Sequence, residues 1–247
     1  MKKVRDYYKL LNEIINRHME FQIEILGCVS YEQRIYPMIV LKRISKANTR
    51  NVVITAGQHG PEYYATNILL RWITQPIMCS QFNYYIFPCI NMFGYEYNCR
   101  ENGNKQDTNN AINFIKDSKV PELALLYDSF PQSVNLIIDI HGDVDKDACY
   151  FYEHKLSNLP SIAEKTALEC NQVLPYLKQK TIYGSKLING VLMPPKEDIG
   201  IEEAAEKMGA EYTITFELPG KFEGQKRAEG GIAVINSLLY NFNEVKL

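Results

Sequence analysis

Along the chain, short runs of consecutive apolar or β-branched residues alternate with longer stretches in which apolar positions recur every three or four residues. Runs of the first kind predict strands and stretches of the second kind predict amphipathic helices. Strands are expected at Phe21–Leu26, Tyr36–Leu41, Asn51–Ala56, Phe82–Phe87, Asn135–His141 and Tyr212–Leu218. Helices are expected at Val4–His18, Glu62–Gln75, Pro121–Ser129, Ser161–Leu174, Ile201–Met208 and Ala228–Asn241. VVIT and LIIDI are apolar on successive positions, as in strands covered by helices on both faces. The alternation predicts a layered α/β domain with a largely parallel central sheet. Its first two strands, flanking the turn-like stretch from Gly27 to Gln33, read as an antiparallel meander. Tyr95–Gln106 and Tyr183–Asp198, rich in Asn, Gly, Lys and Pro, read as long loops, which tend to be functional. No repeat or linker divides the chain, so residues 1–247 are expected to form one domain.

Composition changes this picture little. The chain has 247 residues, 46% hydrophobic and 23% charged, as in ordinary globular domains. A formal net charge of -2 gives no broad attraction to nucleic acid or an anionic membrane, and neither is expected as a partner. The first residues open with Lys2, Lys3 and Arg5 but then interleave Asp6, Lys9, Asn12, Glu13 and Arg17, which reads as an amphipathic helix rather than a signal peptide. No apolar run reaches the roughly 18 residues of a membrane span. The six cysteines occur singly, with no CxxC pair, and are expected to be reduced thiols in a cytoplasmic protein.

The chemistry is concentrated at three places. NVVITAGQHGPE runs from a strand into a helix that opens near Pro61, so His59 falls in the turn and Glu62 in the first helical turn. Downstream, SVNLIIDIHGD carries His141 to the carboxyl end of another strand, the edge at which open α/β sheets bind ligands. Two histidines and one carboxylate, with a fourth position left to water, form the ligand set of a catalytic zinc site. Asp139, two residues before His141 on the same strand face, is placed to orient an imidazole. His18 and His154 read as surface residues, His154 in a loop.

In EYTITFELPG, Thr213, Thr215 and Glu217 share one strand face and Ile214, Phe216 and Leu218 the other. Glu217 is the one charge in apolar surroundings, so it is expected to face a cleft or a cation. Beside a zinc-bound water it would act as general base. Arg100, in a polar loop, is a candidate for stabilising a developing oxyanion.

Taken together, these residues resemble the zinc carboxypeptidase superfamily, which includes the metallocarboxypeptidases and the related succinylglutamate desuccinylase/aspartoacylase group. The matching elements, in order, are G-x-H-G-x-E at Gly57–Glu62, N-x-x-G at Asn91–Gly94, R-x-N at Arg100–Asn102, D-x-N at Asp107–Asn109, D-x-H-G at Asp139–Gly142 and E-L-P-G at Glu217–Gly220. They span nearly the whole chain. The resemblance implies a three-layer α/β/α sandwich around a mixed, mostly parallel sheet. It also implies zinc held by His59, Glu62 and His141, Glu217 as general base, Arg100 polarising the scissile carbonyl, and Asn109 helping to hold the substrate's carboxylate.

Two departures bear on specificity. The family usually reads D-x-N-R where this chain has Asp107-Thr108-Asn109-Asn110, so Asn110 stands where an arginine clamps a terminal carboxylate. An amide provides no fixed positive fork. No tyrosine occurs between Gly184 and Glu211, where digestive members carry a mobile capping tyrosine. The expected activity is therefore a zinc-dependent, carboxypeptidase-like hydrolase that cleaves a small peptide or N-acyl amino acid with altered recognition. An aspartoacylase-like deacylase and an amidase acting on cell-wall peptides are alternatives within this class, and a non-catalytic zinc-retaining binding protein is the alternative outside it. Lys221, Lys226 or Arg227 is a candidate to replace the missing clamp.

Overall fold

The computed structural model describes residues 2–17, 20–45, 50–110, 117–192, 200–201, 205–206 and 208–245. His18, the stretch 193–198 and much of the expected helix Ile201–Met208 lie outside these described residues. Strands β1 (Gln22–Tyr31), β2 (Arg34–Arg43), β3 (Asn51–Ala56), β4 (Asn83–Phe87), β5 (Leu136–Asp143), β6 (Tyr150–Lys155), β7 (Thr181–Ile182), β8 (Ser185–Ile188), β9 (Val191–Leu192) and β10 (Tyr212–Pro219) join one sheet. Its order is β1-β2-β4-β3-β5-β10-β6-β9-β8-β7. The central strands β4, β3, β5 and β10 are parallel, and antiparallel pairs dominate towards both edges. The sheet is thus mixed with a parallel heart.

Helices α1 (Tyr7–Arg17), α2 (Tyr63–Ile73), α3 (Met92–Tyr97), α4 (Pro121–Ser129), α5 (Ile162–Cys170) and α6 (Gly224–Glu244) cover both faces. Tyr84 pairs in register with Arg43, so it lies on the face opposite Tyr36, because side chains alternate along β2. Trp72 of α2 packs on Tyr84 with ring centroids 6.0 Å apart, whereas Phe93 of α3 packs on Tyr36 at 6.4 Å. The two helices therefore lie on opposite sides of the sheet, as the α/β/α expectation requires. Helices α2 and α6 share one side, where Trp72 donates to Asn236.

Several element ends follow from local chemistry. Pro121 opens α4, a position where its missing N–H is not needed. Ser161 caps α5 by accepting from the Glu164 N–H at 2.9 Å. Several boundaries differ from the sequence reading: β8 and β9 lie within Tyr183–Asp198, expected to be a long loop, α3 runs to Tyr97 inside the expected loop Tyr95–Gln106, and α6 begins at Gly224 rather than Ala228. The stretch from Gly27 to Gln33 is not one broad turn: β1 continues to Tyr31 and the reversal is confined to Glu32 and Gln33, at φ 46° and 65°. That two-residue geometry usually recruits Asn-Gly or Asp-Gly, so Glu-Gln carried no signal for it. Strand β6 is a further difference: His154, expected in a loop, stands on a strand whose YFYEHK alternation the sequence reading left unassigned.

The amino-terminal segment docks through one buried carboxylate. Glu96 accepts from Arg34 at 2.7 Å, from the Tyr36 hydroxyl at 2.9 Å and from the Tyr7 N–H at 3.1 Å, and Lys3 lies 2.9 Å away. Beside it, Arg5 donates to the Tyr95 carbonyl at 2.7 Å and lies 3.9 Å over the Tyr63 ring, bracing the chain that follows β3. Replacing Glu96 with Ala strands these donors and is expected to cost about 3 kcal/mol, seen as a drop in melting temperature of roughly 5–10 °C.

Candidate metal centre

The centre forms where parallel strands end. After β3, Gly57 turns the chain at φ +72°, His59 is extended, and a 3-10 turn at Gly60–Glu62 leads into α2. Gly60 admits no side chain: a Cβ there would stand 1.8 Å from the Gly94 carbonyl oxygen. Asn91 holds the neighbouring segments together, accepting from the Gly94 N–H at 2.7 Å and donating to the carbonyls of Arg100 at 2.9 Å and Gln58 at 3.2 Å. Three of the recurring sequence elements are thus one hydrogen-bonded unit. Its effect is to fix the direction of His59.

On β5, register places His141 directly beside Glu217 of β10. Coordinating atoms of His59, Glu62 and His141 all lie within 4.8 Å of one another, a group that can hold a metal ion. The Nδ1 atoms of His59 and His141 face the two oxygens of Glu62, at 2.8 and 2.9 Å. Their far ring nitrogens are each backed by a carboxylate: Asp107 stands 3.2 Å from His59 Nε2 and Asp139 3.1 Å from His141 Nε2. Paired imidazoles that present one nitrogen inward and hydrogen-bond an acid with the other suit a divalent metal, because the outer acid fixes ring orientation and tautomer. Asp139 is itself held by Thr55 at 2.6 Å and by the Gln58 amide. The donor set fits zinc.

Electrostatics follow from this packing. Burial works against the charge on Glu62, but the imidazoles of His141 and His59 outweigh it and bring its pKa down to about 2. Burial works against a charged His141, yet Asp139 and Glu62 raise its pKa well above the ordinary histidine value. A metal binding here therefore displaces a firmly held proton. Asp107 resists its own burial through the His59 hydrogen bond, the Asn109 N–H and Arg100, and sits well below the usual carboxylate range. Glu217 behaves oppositely: desolvation first, eased by His141 but reinforced by Glu62, Asp143 and Asp139, pushes its carboxyl up to about 8.

A cavity of about 440 Å³ opens over the group, and His59, Glu62, His141, Glu217, Arg100 and Asn109 all line it. Arg100 is exposed and pairs with Asp107 at 3.1 Å. The Asn109 amide nitrogen lies 3.4 Å from His141 Nε2, and its oxygen accepts from the Ile201 N–H. Asn110 is half-buried and is not among the described residues that line the cavity. The three cations considered as a replacement clamp do not line it either. Lys221 faces Asp145 at 3.8 Å, Lys226 pairs with Glu223 at 3.0 Å, and Arg227 donates to the carbonyls of Pro219 and Gly220.

Some of these residues carried little signal in the sequence. Asp107, which backs His59, was visible only as a motif letter, and the cavity-lining Tyr150, Tyr152 and His154 lie in strand β6, which the sequence reading did not assign. Their period-two spacing was the available signal. Tyr183, one position before the stretch that lacks tyrosine, also lines the cavity, its hydroxyl 2.6 Å from Asp143.

No family model matches the sequence, and no curated protein sequence matches it. Solved structures do. A protein from Shewanella amazonensis assigned as a metallopeptidase has a TM-score of 0.77 at 21% identity, covering 94% of this chain and 90% of that one. A metallo-carboxypeptidase from Pseudomonas aeruginosa, in complex with (2-guanidinoethylmercapto)succinic acid, has a TM-score of 0.67 at 15% identity, over 97% and 69% of the two chains. Bovine thrombin-activatable fibrinolysis inhibitor, in complex with tick carboxypeptidase inhibitor, has a TM-score of 0.67 at 15% identity, over 96% and 95%. At such identities the likeness shows the fold alone, an α/β fold shared with these metallopeptidase and metallo-carboxypeptidase structures. No helix among the described residues is long and apolar enough to cross a membrane.

Two expectations follow. Asp139→Asn should weaken zinc binding by about 10- to 100-fold, measured by competition with a chelator. Between about pH 4.5 and about pH 8 the unfolded chain ionises Glu217 while the metal-free native state does not, so this group's contribution to stability falls as pH rises. Metal-free Glu217→Gln should therefore gain in melting temperature over metal-free wild type as pH is raised through that window, with little difference below it.

Proposed function

We propose that this chain is a zinc-dependent hydrolase of the carboxypeptidase kind, one catalytic domain that cleaves a peptide or amide bond. The observation that carries the reading is the convergence of His59 Nδ1, His141 Nδ1 and the Glu62 carboxylate in a cavity that Glu217 also lines. Zinc, if held by these three side chains, would supply Lewis-acid chemistry that lowers the pKa of a water towards about 7 and polarises a carbonyl. Glu217 would serve as the general base that accepts a proton from the attacking water and returns it to the leaving amine. Arg100, on the cavity wall, offers its guanidinium to the carbonyl oxygen as negative charge develops there. Asn109 presents an amide for orienting the substrate.

The expected substrate is a small peptide or an N-acyl amino acid. Asn110, an amide where the resemblance leads one to expect an arginine, favours substrates that do not depend on a bidentate grip on a terminal carboxylate. This brings in deacylation of the aspartoacylase type and amide cleavage in cell-wall peptides. The same residue supports the second reading, a protein that keeps the fold and zinc but binds its ligand without cleaving it. Retention of Glu217 weighs against that reading, since binding alone needs no base. Six free cysteines fit a reducing, cytoplasmic setting.

Replacing Glu217 with Gln should lower kcat by about 10²- to 10⁴-fold while zinc content stays stoichiometric. Turnover should be assayed on N-acyl amino acids, dipeptides and muramyl peptides. Chelation should abolish activity and added zinc restore it. An unimpaired Glu217→Gln variant would remove the base from the mechanism, and stoichiometric zinc without turnover of any substrate would favour the binding protein.

A further inference from the structure

Arg100 and Asp107 are the two ends of one loop. Arg100 lines the cavity, Asp107 backs His59, and the two side chains pair at 3.1 Å across the neck. Between them Asn102 alone is buried. Its Oδ1 accepts from the Asn104 and Gln106 N–H groups, both at 3.0 Å, and its own N–H donates to the Gln106 carbonyl at 2.9 Å. These bonds form a rung directly behind the neck.

The other side of the Asn102 amide reaches a buried acid outside the cavity. Its nitrogen donates to Glu122 Oε2 at 2.9 Å, and the Tyr31 hydroxyl donates to Glu122 Oε1 at 2.7 Å. Glu122 stands in the first turn of α4 and is 0% exposed. Gly103 lies flat on the Tyr31 ring, since a Cβ there would come within 2.3 Å of a ring carbon. One acid and one ring thus seat the loop on α4 and the end of β1. Both side-chain donors are neutral, and burial raises the Glu122 carboxyl above its ordinary range. An acid in such a setting is a cost to the fold. What it supplies in return is two acceptor oxygens in fixed places, one for Tyr31 and one for Asn102.

We infer that Glu122 is a positioning residue for the metal centre: through Asn102 it sets the loop that carries Asp107 to His59 and Arg100 to the cavity. The inference rests on the proposed metal centre for what those two side chains do. Outside the rung, Asn91 holds the Arg100 carbonyl and Thr108 bonds the Gln58 carbonyl. Loosening the rung therefore leaves the loop attached but lets Arg100 and Asp107 drift apart. An imidazole whose backing acid is removed binds a metal about 10- to 100-fold less well.

The Asn102–Glu122 pair can be inverted as a test. Asn102→Asp alone sets two carboxylates face to face, and adding Glu122→Gln returns a donor to the pair while leaving acceptors for Tyr31, Asn104 and Gln106. Zinc affinity at pH 8, read by chelator competition, should fall about ten-fold in Asn102→Asp and return to within about two-fold of wild type in the double variant. In an Asp107→Asn background, Asn102→Asp should add almost nothing, because the acid through which the loop acts is already gone. Should Asn102→Asp fail to fold, Tyr31→Phe keeps the ring under Gly103 and removes one bond to Glu122; its smaller zinc loss should likewise vanish in the Asp107→Asn background. Unchanged zinc affinity, a double variant no better than Asn102→Asp, or a full further loss in the absence of Asp107 overturns the inference. So does a lowered metal-free melting temperature with zinc affinity intact, which leaves Glu122 a purely structural part. Hydrogen exchange at the Asn104 and Gln106 amides of metal-free protein keeps this test separate from the hydrolase reading. Wild-type protein that binds no zinc, or binds it without turnover, defeats that reading; exchange that quickens in Asn102→Asp and recovers in the double variant still supports the anchor, and unaltered exchange overturns it.

Discussion

The arrangement depends on β3, β5 and β10 lying side by side, parallel and in register. Thr55 of β3 pairs with Asp139 of β5, and His141 of β5 pairs with Glu217 of β10. Parallel strands end at the same edge of a sheet, so residues separated by some 80 to 160 positions arrive at one place without any long loop having to carry them. Sliding β10 by one residue would send Glu217 to the opposite face and bring Phe216 or Leu218 in its stead. Helix packing on both faces makes such a slip costly, because the residues flanking Glu217 are buried in the core.

That rigidity is what allows so many acids to crowd together. Among the described residues, Glu62, Asp107, Asp139, Asp143 and Glu217 lie around two imidazoles and one nearby guanidinium. Glu62 and Asp107 are held ionised by the imidazoles they hydrogen-bond. Glu217 behaves oppositely, its carboxyl pushed up to about 8 mainly by desolvation. A dication bound between His59, Glu62 and His141 would offer positive charge to the surrounding carboxylates and relieve this crowding.

The support of the site reaches further than its donors. Asn91 ties together the backbone at Gln58, Gly94 and Arg100, and Gly60 lies flush against Gly94. Arg5 braces the same turn from the amino-terminal segment, itself fastened through Glu96. Motif letters that look independent in one dimension are therefore parts of one scaffold. Asn110 is not among the described residues that line the cavity, whereas Tyr150, Tyr152 and His154 of β6 and Tyr183 are.

Local chemistry in the sequence was enough to determine the α/β class, most of the strands and helices, and the strand-end positions of His59, His141 and Glu217. It sufficed because apolar periodicity, Pro61, Pro121 and Ser161 act within a few residues of themselves. The antiparallel pairing of β1 with β2 was legible, but its tight turn was not, because Glu32-Gln33 lacks turn-forming residues. Strand β6 and the short strands β8 and β9 also escaped the local reading, β6 because an exposed-looking YEHK hides a two-residue period. Only the tertiary structure decided which carboxylate backs which imidazole and that Lys221, Lys226 and Arg227 stay off the cavity wall. Those facts depend on strand order and register between distant segments, and register is a property of packed pairs of strands that no single stretch of chain contains.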